Sequence, residues 1–98
     1  MEIAPSKNGV PIRLTDERWL HIVENHDELA DCHDDVLAVV EDPEWITRGL
    51  RGSLIAWRSY GRRGFLCVHY RELSGDDGFV ITAYLKRRAK KERKVWPK

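Results

Sequence analysis

The spacing of apolar residues changes once along this chain, near residue 43, and that change restricts the folds available to it. Between residues 16 and 42 the apolar side chains recur at helical spacing. Trp19, Ile22, Val23, His26, Leu29 and Ala30 fall on one stripe, and Val36, Leu37, Val39 and Val40 on another. From residue 45 onward the period drops to two. Trp45–Arg48, Leu54–Tyr60, Gly64–Glu72 and Phe79–Lys86 are rich in β-branched and aromatic residues and read as strands. Turn-like clusters at Gly49–Gly52, Gly61–Gly64 and Ser74–Gly78 separate them, each short enough for a hairpin. The expected fold is α+β: two N-terminal helices packed on one face of a three- to four-stranded antiparallel sheet, with the other face free to hold a site.

Local signals set the expected boundaries. Thr15 reads as a helix N-cap, because its hydroxyl can accept an orphan backbone N–H while Asp16 and Glu17 complement the helix dipole. The first helix is expected to run to about Leu29. A second runs from His33 to Asp42, where Pro43 stops it. Val10–Leu14 reads as a short strand or an extended arm. The expected organisation is a flexible N-terminus over residues 1–9, one domain over 10–86 and a basic C-terminal tail over 87–98. That tail is helix-competent as far as Val95 but too charged to pack closely on a core. With 98 residues, 42% of them hydrophobic, the chain can build one core without staples. No apolar run approaches the roughly 18 residues of a membrane span, and Met1–Gly9 is too polar for a secretory signal. A cytoplasmic protein with no membrane partner is expected. Cys67, in an apolar run, reads as a small buried hydrophobe, and Cys32 stands isolated among acids, so no disulfide is expected between them.

Charge is sorted by position. Residues 16–44 hold eleven acids and one base, Arg18; residues 45–71 hold six arginines and no acid. The last thirteen residues hold eight bases and only Glu92, so the net charge of +1 conceals an acidic block followed by two basic ones. Such asymmetry points to nucleic-acid contact, against the plainer reading of a solvated acidic face and a loose basic tail. Alternation divides the last strand into a core set, Phe79, Ile81, Ala83 and Leu85, and an opposite set, Val80, Thr82, Tyr84 and Lys86. The strand before it divides into Phe65, Cys67, His69, Arg71 and Leu66, Val68, Tyr70, Glu72; neither set is uniform, which leaves its facing open. Arg58 and Tyr60 are placed on the same open face as Thr82 and Tyr84.

The run Leu14-Thr15-Asp16-Glu17-Arg18-Trp19-Leu20-His21-Ile22-Val23-Glu24-Asn25-His26 resembles the helical start of small phage and bacterial nuclease-like domains. These are grouped with barnase, EndoU, colicin nucleases and RelE toxins. Asp42-Pro43-Glu44-Trp45-Ile46-Thr47-Arg48-Gly49 and Asp77-Gly78-Phe79-Val80-Ile81-Thr82-Ala83-Tyr84 resemble the same group, so the likeness spans about residues 12–88. Topology and the Trp-x-x-Ile-x-x-x-His helix carry it, in a superfamily that exchanges catalytic residues between branches. The resemblance implies a metal-independent endoribonuclease of toxin type, with RNA as substrate and an antitoxin or immunity protein as partner. A non-catalytic RNA- or protein-binding module on the same fold is the alternative.

Metal-free RNA cleavage needs a base for the 2′-OH, an acid for the 5′ oxygen and cations for the phosphorane. The expected catalytic residues are His26, Arg58, Thr82 and Tyr84. His26 lies on the stripe of Trp19 and Ile22, where the competing role is a buried structural histidine; Arg58 would clamp the phosphate with its planar fork. Arg48, Tyr60, Arg62, Arg63, Tyr70 and Lys86 are the expected RNA-binding residues, the tyrosines by stacking on bases. No cofactor is expected. His21 and His26 are five apart and fall on different sides of a helix, and no C-x-x-C or EF-hand loop occurs, so no metal site is expected either.

Overall fold

The computed structural model describes all residues, 1–98. It is α+β, built on a seven-stranded mixed sheet in the order β1-β2-β6-β5-β4-β3-β7. The strands are β1 (Glu2–Pro5), β2 (Pro11–Leu14), β3 (Trp45–Arg48), β4 (Leu54–Ser59), β5 (Phe65–Ser74), β6 (Asp77–Lys86) and β7 (Lys94–Trp96). Helices α1 (Asp16–Asn25) and α2 (His33–Glu41) lie between β2 and β3 in the chain. No helix is long and apolar enough to cross a membrane.

This corrects the expected architecture of two leading helices on a three- or four-stranded antiparallel sheet. A hairpin precedes the helices, and β2 joins β6 in parallel through Ile12↔Gly78 and Arg13↔Phe79. The remaining chain, from α1 through β5, provides the crossover that a parallel neighbour requires. The Arg13 guanidinium pins the junction by donating to both Asp77 carboxylate oxygens at 2.9 and 3.2 Å. At the other edge, residues 94–96 are no loose tail. They pair with β3, and the Arg93 carbonyl accepts the Arg48 amide at 2.9 Å. Strands this short show little alternation, and neither β1 (Glu-Ile-Ala-Pro) nor β7 (Lys-Val-Trp) holds three β-branched or aromatic residues in a row as Trp45–Thr47 does.

Thr15 caps α1, its Oγ1 accepting the Arg18 amide at 3.1 Å, a contact that contributes about 1 kcal/mol. The helix ends at Asn25, four residues short of expectation, and His26 sits at its C-terminal boundary. Ile22, Leu29, Val36, Val39 and Val40 descend from the helical segment onto Ile12, Leu14, Ala56, Leu66, Val68, Tyr70, Val80 and Ala83 of one sheet face. Each fully buried aliphatic side chain there is worth about 1.5–3 kcal/mol. All eleven acids of residues 16–44 remain exposed.

One departure from strict alternation decides which side chains reach the opposite face. Between His69↔Thr82 and Tyr70↔Val80 the register shifts, leaving Ile81 as an extra residue on β6. Val80 and Ala83 therefore both face the helices, buried to 1% and 0%, while Phe79 and Ile81, expected in the core, line the other face. Tyr70 points inward and is fully buried, which removes it from the RNA-stacking residues. Its hydroxyl has no hydrogen-bond partner. An unpaired buried hydroxyl destabilises by about 1–3 kcal/mol. Tyr70→Phe should therefore raise stability by about 1 kcal/mol in urea denaturation and leave RNA binding unaltered; a destabilised variant would contradict the unpaired hydroxyl.

Candidate functional site

The face away from the helices carries a second, smaller apolar layer. Trp45 and Trp57 stack with centroids 5.3 Å apart, Phe65 meets Trp45 edge-on at 5.5 Å, and Cys67 is buried beneath them. The Trp57 indole N–H donates to Thr47 Oγ1 at 3.0 Å, and that of Trp45 donates to the Lys90 carbonyl, also at 3.0 Å. The second bond brings the C-terminal segment back over this face. Lys91 then lies over the Trp45 ring at 4.9 Å. Burial pushes the Cys67 thiol up to about 12, with the Lys86 charge opposing, so this cysteine is a packing residue and no nucleophile.

Beside the tryptophan layer the face turns polar. His69 on β5 and Tyr84 on β6 share a hydrogen bond of 2.7 Å between Nε2 and the phenolic oxygen. Thr82 lies directly opposite His69 in the ladder, and Lys86 follows Tyr84 by one pleat. His26 reaches the same tyrosine from the end of α1, with ring centroids 6.1 Å apart. Its Nδ1 is 3.8 Å from the Glu28 carboxylate, and its side chain is 33% exposed. Of the expected catalytic residues, the fold brings Thr82 and Tyr84 beside His69, and His26 beside Tyr84. His69 went unselected because Phe65 and Cys67 make its own side of β5 look like a core face. In the opposite set, Leu66, Val68 and Tyr70 are apolar or aromatic up to Glu72 at the strand's far end, and that run is the signal that places His69 outward.

The other expected residues divide. Arg58 does not join the site. It pairs across the ladder with core residue Leu66, and its Nη1 donates to the Asp42 carbonyl at 3.0 Å and carboxylate at 3.3 Å. Tyr60 likewise lies on the helix side, its hydroxyl donating to the Asp35 carboxylate and contacting Cys32 Sγ at 3.2 Å. These two partners, with burial, raise its pKa above the usual phenol range. Arg63 ties the same turn down, donating to the Glu28 carbonyl with its ring-facing guanidinium 5.3 Å from Tyr60. Arg62 is exposed in that turn and lines neither groove beside Tyr84 and His69. Arg48 and Lys86, by contrast, line one groove of about 390 Å³ with Tyr84, Lys90 and Arg93. A second groove of about 470 Å³ holds His69, Arg51, Arg71, Phe79 and Ile81. None of these cations takes part in an ion pair.

Burial first, and the Lys86 ammonium second, hold the His69 imidazole below the usual histidine range. Burial, with a smaller contribution from Cys67, raises Tyr84. At neutral pH the pair is therefore a neutral imidazole and a neutral phenol, which can pass a proton along one short bond. No three His, Cys, Asp or Glu side chains converge as a metal site. No family model matches the chain, and no curated protein or solved structure does.

The depressed His69 has a consequence for stability. The unfolded chain takes up this proton first as pH falls through about 6.5, so the contribution of neutral His69 is present above that pH and is lost as pH falls toward the folded-state value. NMR titration should find the His69 midpoint below about 6.5, and His69→Gln should flatten the fall in melting temperature between about pH 7 and pH 5. A midpoint above the ordinary histidine value would contradict the burial argument.

Proposed function

We propose that this chain is a metal-independent endoribonuclease of toxin type, working on the sheet face away from the helices. The observation that carries the reading is the hydrogen-bonded His69–Tyr84 pair, with His26 beside it and unpaired cations in the grooves to either side. Residues able to move protons and residues able to hold phosphates thus share one surface. The resemblance of the Leu14–His26 run, with its Trp-x-x-Ile-x-x-x-His spacing, to the barnase, EndoU, colicin and RelE group supports the same reading through sequence alone, since a seven-stranded mixed sheet replaces the topology expected with it. The toxin role and a protein antitoxin rest on that resemblance alone.

Each group has a chemical part in this reading. His26, whose Nδ1 is 3.8 Å from the Glu28 carboxylate, accepts the 2′-OH proton. The 2′ oxygen attacks phosphorus and the P–O5′ bond breaks. Tyr84, kept protonated, gives its proton to the departing O5′. The phenolate left behind is stabilised by His69 in the tautomer that carries its proton on Nε2, and by Lys86, which lines the same groove. Return of the proton from His26 to Tyr84 through water resets the site. The products are a 2′,3′-cyclic phosphate and a 5′-hydroxyl, so no water molecule is consumed in the cleavage step. Arg58, the phosphate clamp expected from the sequence, has no part here; Lys86 and the groove arginines take that role.

Incubation of cellular RNA with the protein in excess EDTA tests the reading. Cleavage leaving 2′,3′-cyclic phosphate ends is expected, and His26→Ala and Tyr84→Phe should each lower the rate roughly a hundred- to ten-thousand-fold. Arg58→Ala, which loses only contacts to Asp42, should cleave as the parent does. Retention of RNA without cleavage would replace the nuclease by a binding module. Cleavage indifferent to both site variants would move the chemistry elsewhere on the molecule.

A further inference from the structure

Two residues other than glycine adopt left-handed backbone in this chain, and both are arginines at groove rims: Arg51 at φ 55° and Arg93 at φ 63°. Glycine adopts that conformation at no steric cost, and asparagine more readily than arginine. The fold uses glycine for it at positions 9, 52, 61 and 64. At 51 and 93 it retains a long cationic side chain in a conformation that disfavours one. Neither side chain repays this through the fold, because both residues are exposed and neither enters an ion pair. Backbone strain retained without a structural return marks a side chain with another use.

Their positions indicate the use. Arg51 borders the groove of His69, Arg71, Phe79 and Ile81, whereas Arg93 borders the groove of Tyr84, Lys86 and Lys90. Both also line a third groove of about 500 Å³ at the β3–β4 turn, together with Arg48. The shared residues join the three grooves into one course around that hairpin tip. Arg71, Arg51, Arg48, Arg93, Lys90 and Lys86 follow one another along it, against only Glu72 and Glu92. The bond from the Arg48 amide to the Arg93 carbonyl fixes the C-terminal segment in this position.

We propose that Arg51 and Arg93 are phosphate-binding residues that hold the backbone of single-stranded RNA along this course, on the two sides of the His69–Tyr84 pair. The proposal rests on the nuclease reading for its substrate, yet it concerns binding and not the chemical step. A planar guanidinium fork holds two phosphate oxygens at once, and Phe79 and Ile81 give a base an apolar bed in the adjoining groove. A course that bends around a hairpin tip, on a molecule of 31 × 29 × 22 Å, suits a flexible single strand better than a stiff duplex.

The test uses the full chain with a fluorescent 2′-O-methyl oligonucleotide of about twelve residues, which binds but cannot be cleaved by 2′-OH attack. Arg51→Gly and Arg93→Gly remove the charge and relieve the backbone together. Each should keep or raise the melting temperature, weaken binding about tenfold at low salt, and lower the salt-dependence slope by about 0.7. Arg51→Asn and Arg93→Asn, which tolerate the same backbone, should behave alike. Unchanged affinity and salt slope in stable variants would overturn the proposal. A fall in melting temperature in both glycine and asparagine versions would also overturn it, since the arginines would then serve the fold. Weakened binding while the parent protein leaves RNA uncut would uphold this inference and defeat only the nuclease reading.

Discussion

Strand β6 carries one residue more than its partner at Ile81, and the division of the sheet into a packed face and a working face depends on that insertion. In a regular strand Val80, Thr82 and Tyr84 share a side. Burying Val80 against the helices would then bury the hydroxyls of Thr82 and Tyr84 as well. Alternatively, exposing the hydroxyls would strip Val80 from the core. The register shift opposite His69 and Tyr70 separates the two requirements. Val80 and Ala83 pack inward, and Thr82 and Tyr84 emerge beside His69. A one-residue offset reverses facing in a strand, so a single bulge is sufficient to re-aim half of it.

The second dependence is on the chain after β6. Residues 87–98 return over the tryptophan layer, held by the Trp45 indole bond to Lys90 and by pairing of β7 with β3. Their charge is thereby fixed in space, where a loose tail would have offered only general attraction. Lys90 and Arg93 stand across a groove from Tyr84 and Lys86. On the other side of the sheet the acids of α1 and α2 are exposed to solvent. A phosphate backbone thus meets repulsion on the helix side and attraction on the strand side, and the field itself orients the approach.

Much of this was legible in the sequence, and the parts that were not have physical reasons. The helix cap at Thr15, the three glycine-bearing turns and the four long or central strands follow from local chemistry that acts within a few residues. The C-terminal edge strand depends on pairing with a partner far away in the chain, as in Ile46 with Trp96, whereas the N-terminal edge is a local hairpin of two four-residue strands in which Pro5 meets Pro11. The facing of β6 was legible only in its second half, because alternation cannot announce an inserted residue. Alternation puts Arg58 and Tyr60 on one side of β4 but does not say which, and both flank the helix side, where Asp42 and Asp35 hold them. His69 was obscured by apolar residues on its own side of β5, which belong to a second layer that binary patterning cannot distinguish from the first. The backbone conformations of Arg51 and Arg93 leave no trace in composition.

The central claim is that RNA meets the strand face, over His69 and Tyr84. Backbone amide shift mapping with a non-cleavable single-stranded oligonucleotide addresses it directly. The largest perturbations should fall on residues 48–53, on β5 and β6 around His69 and Tyr84, and on residues 90–93. Perturbations centred on α1 and α2, with those three segments unmoved, would contradict the account.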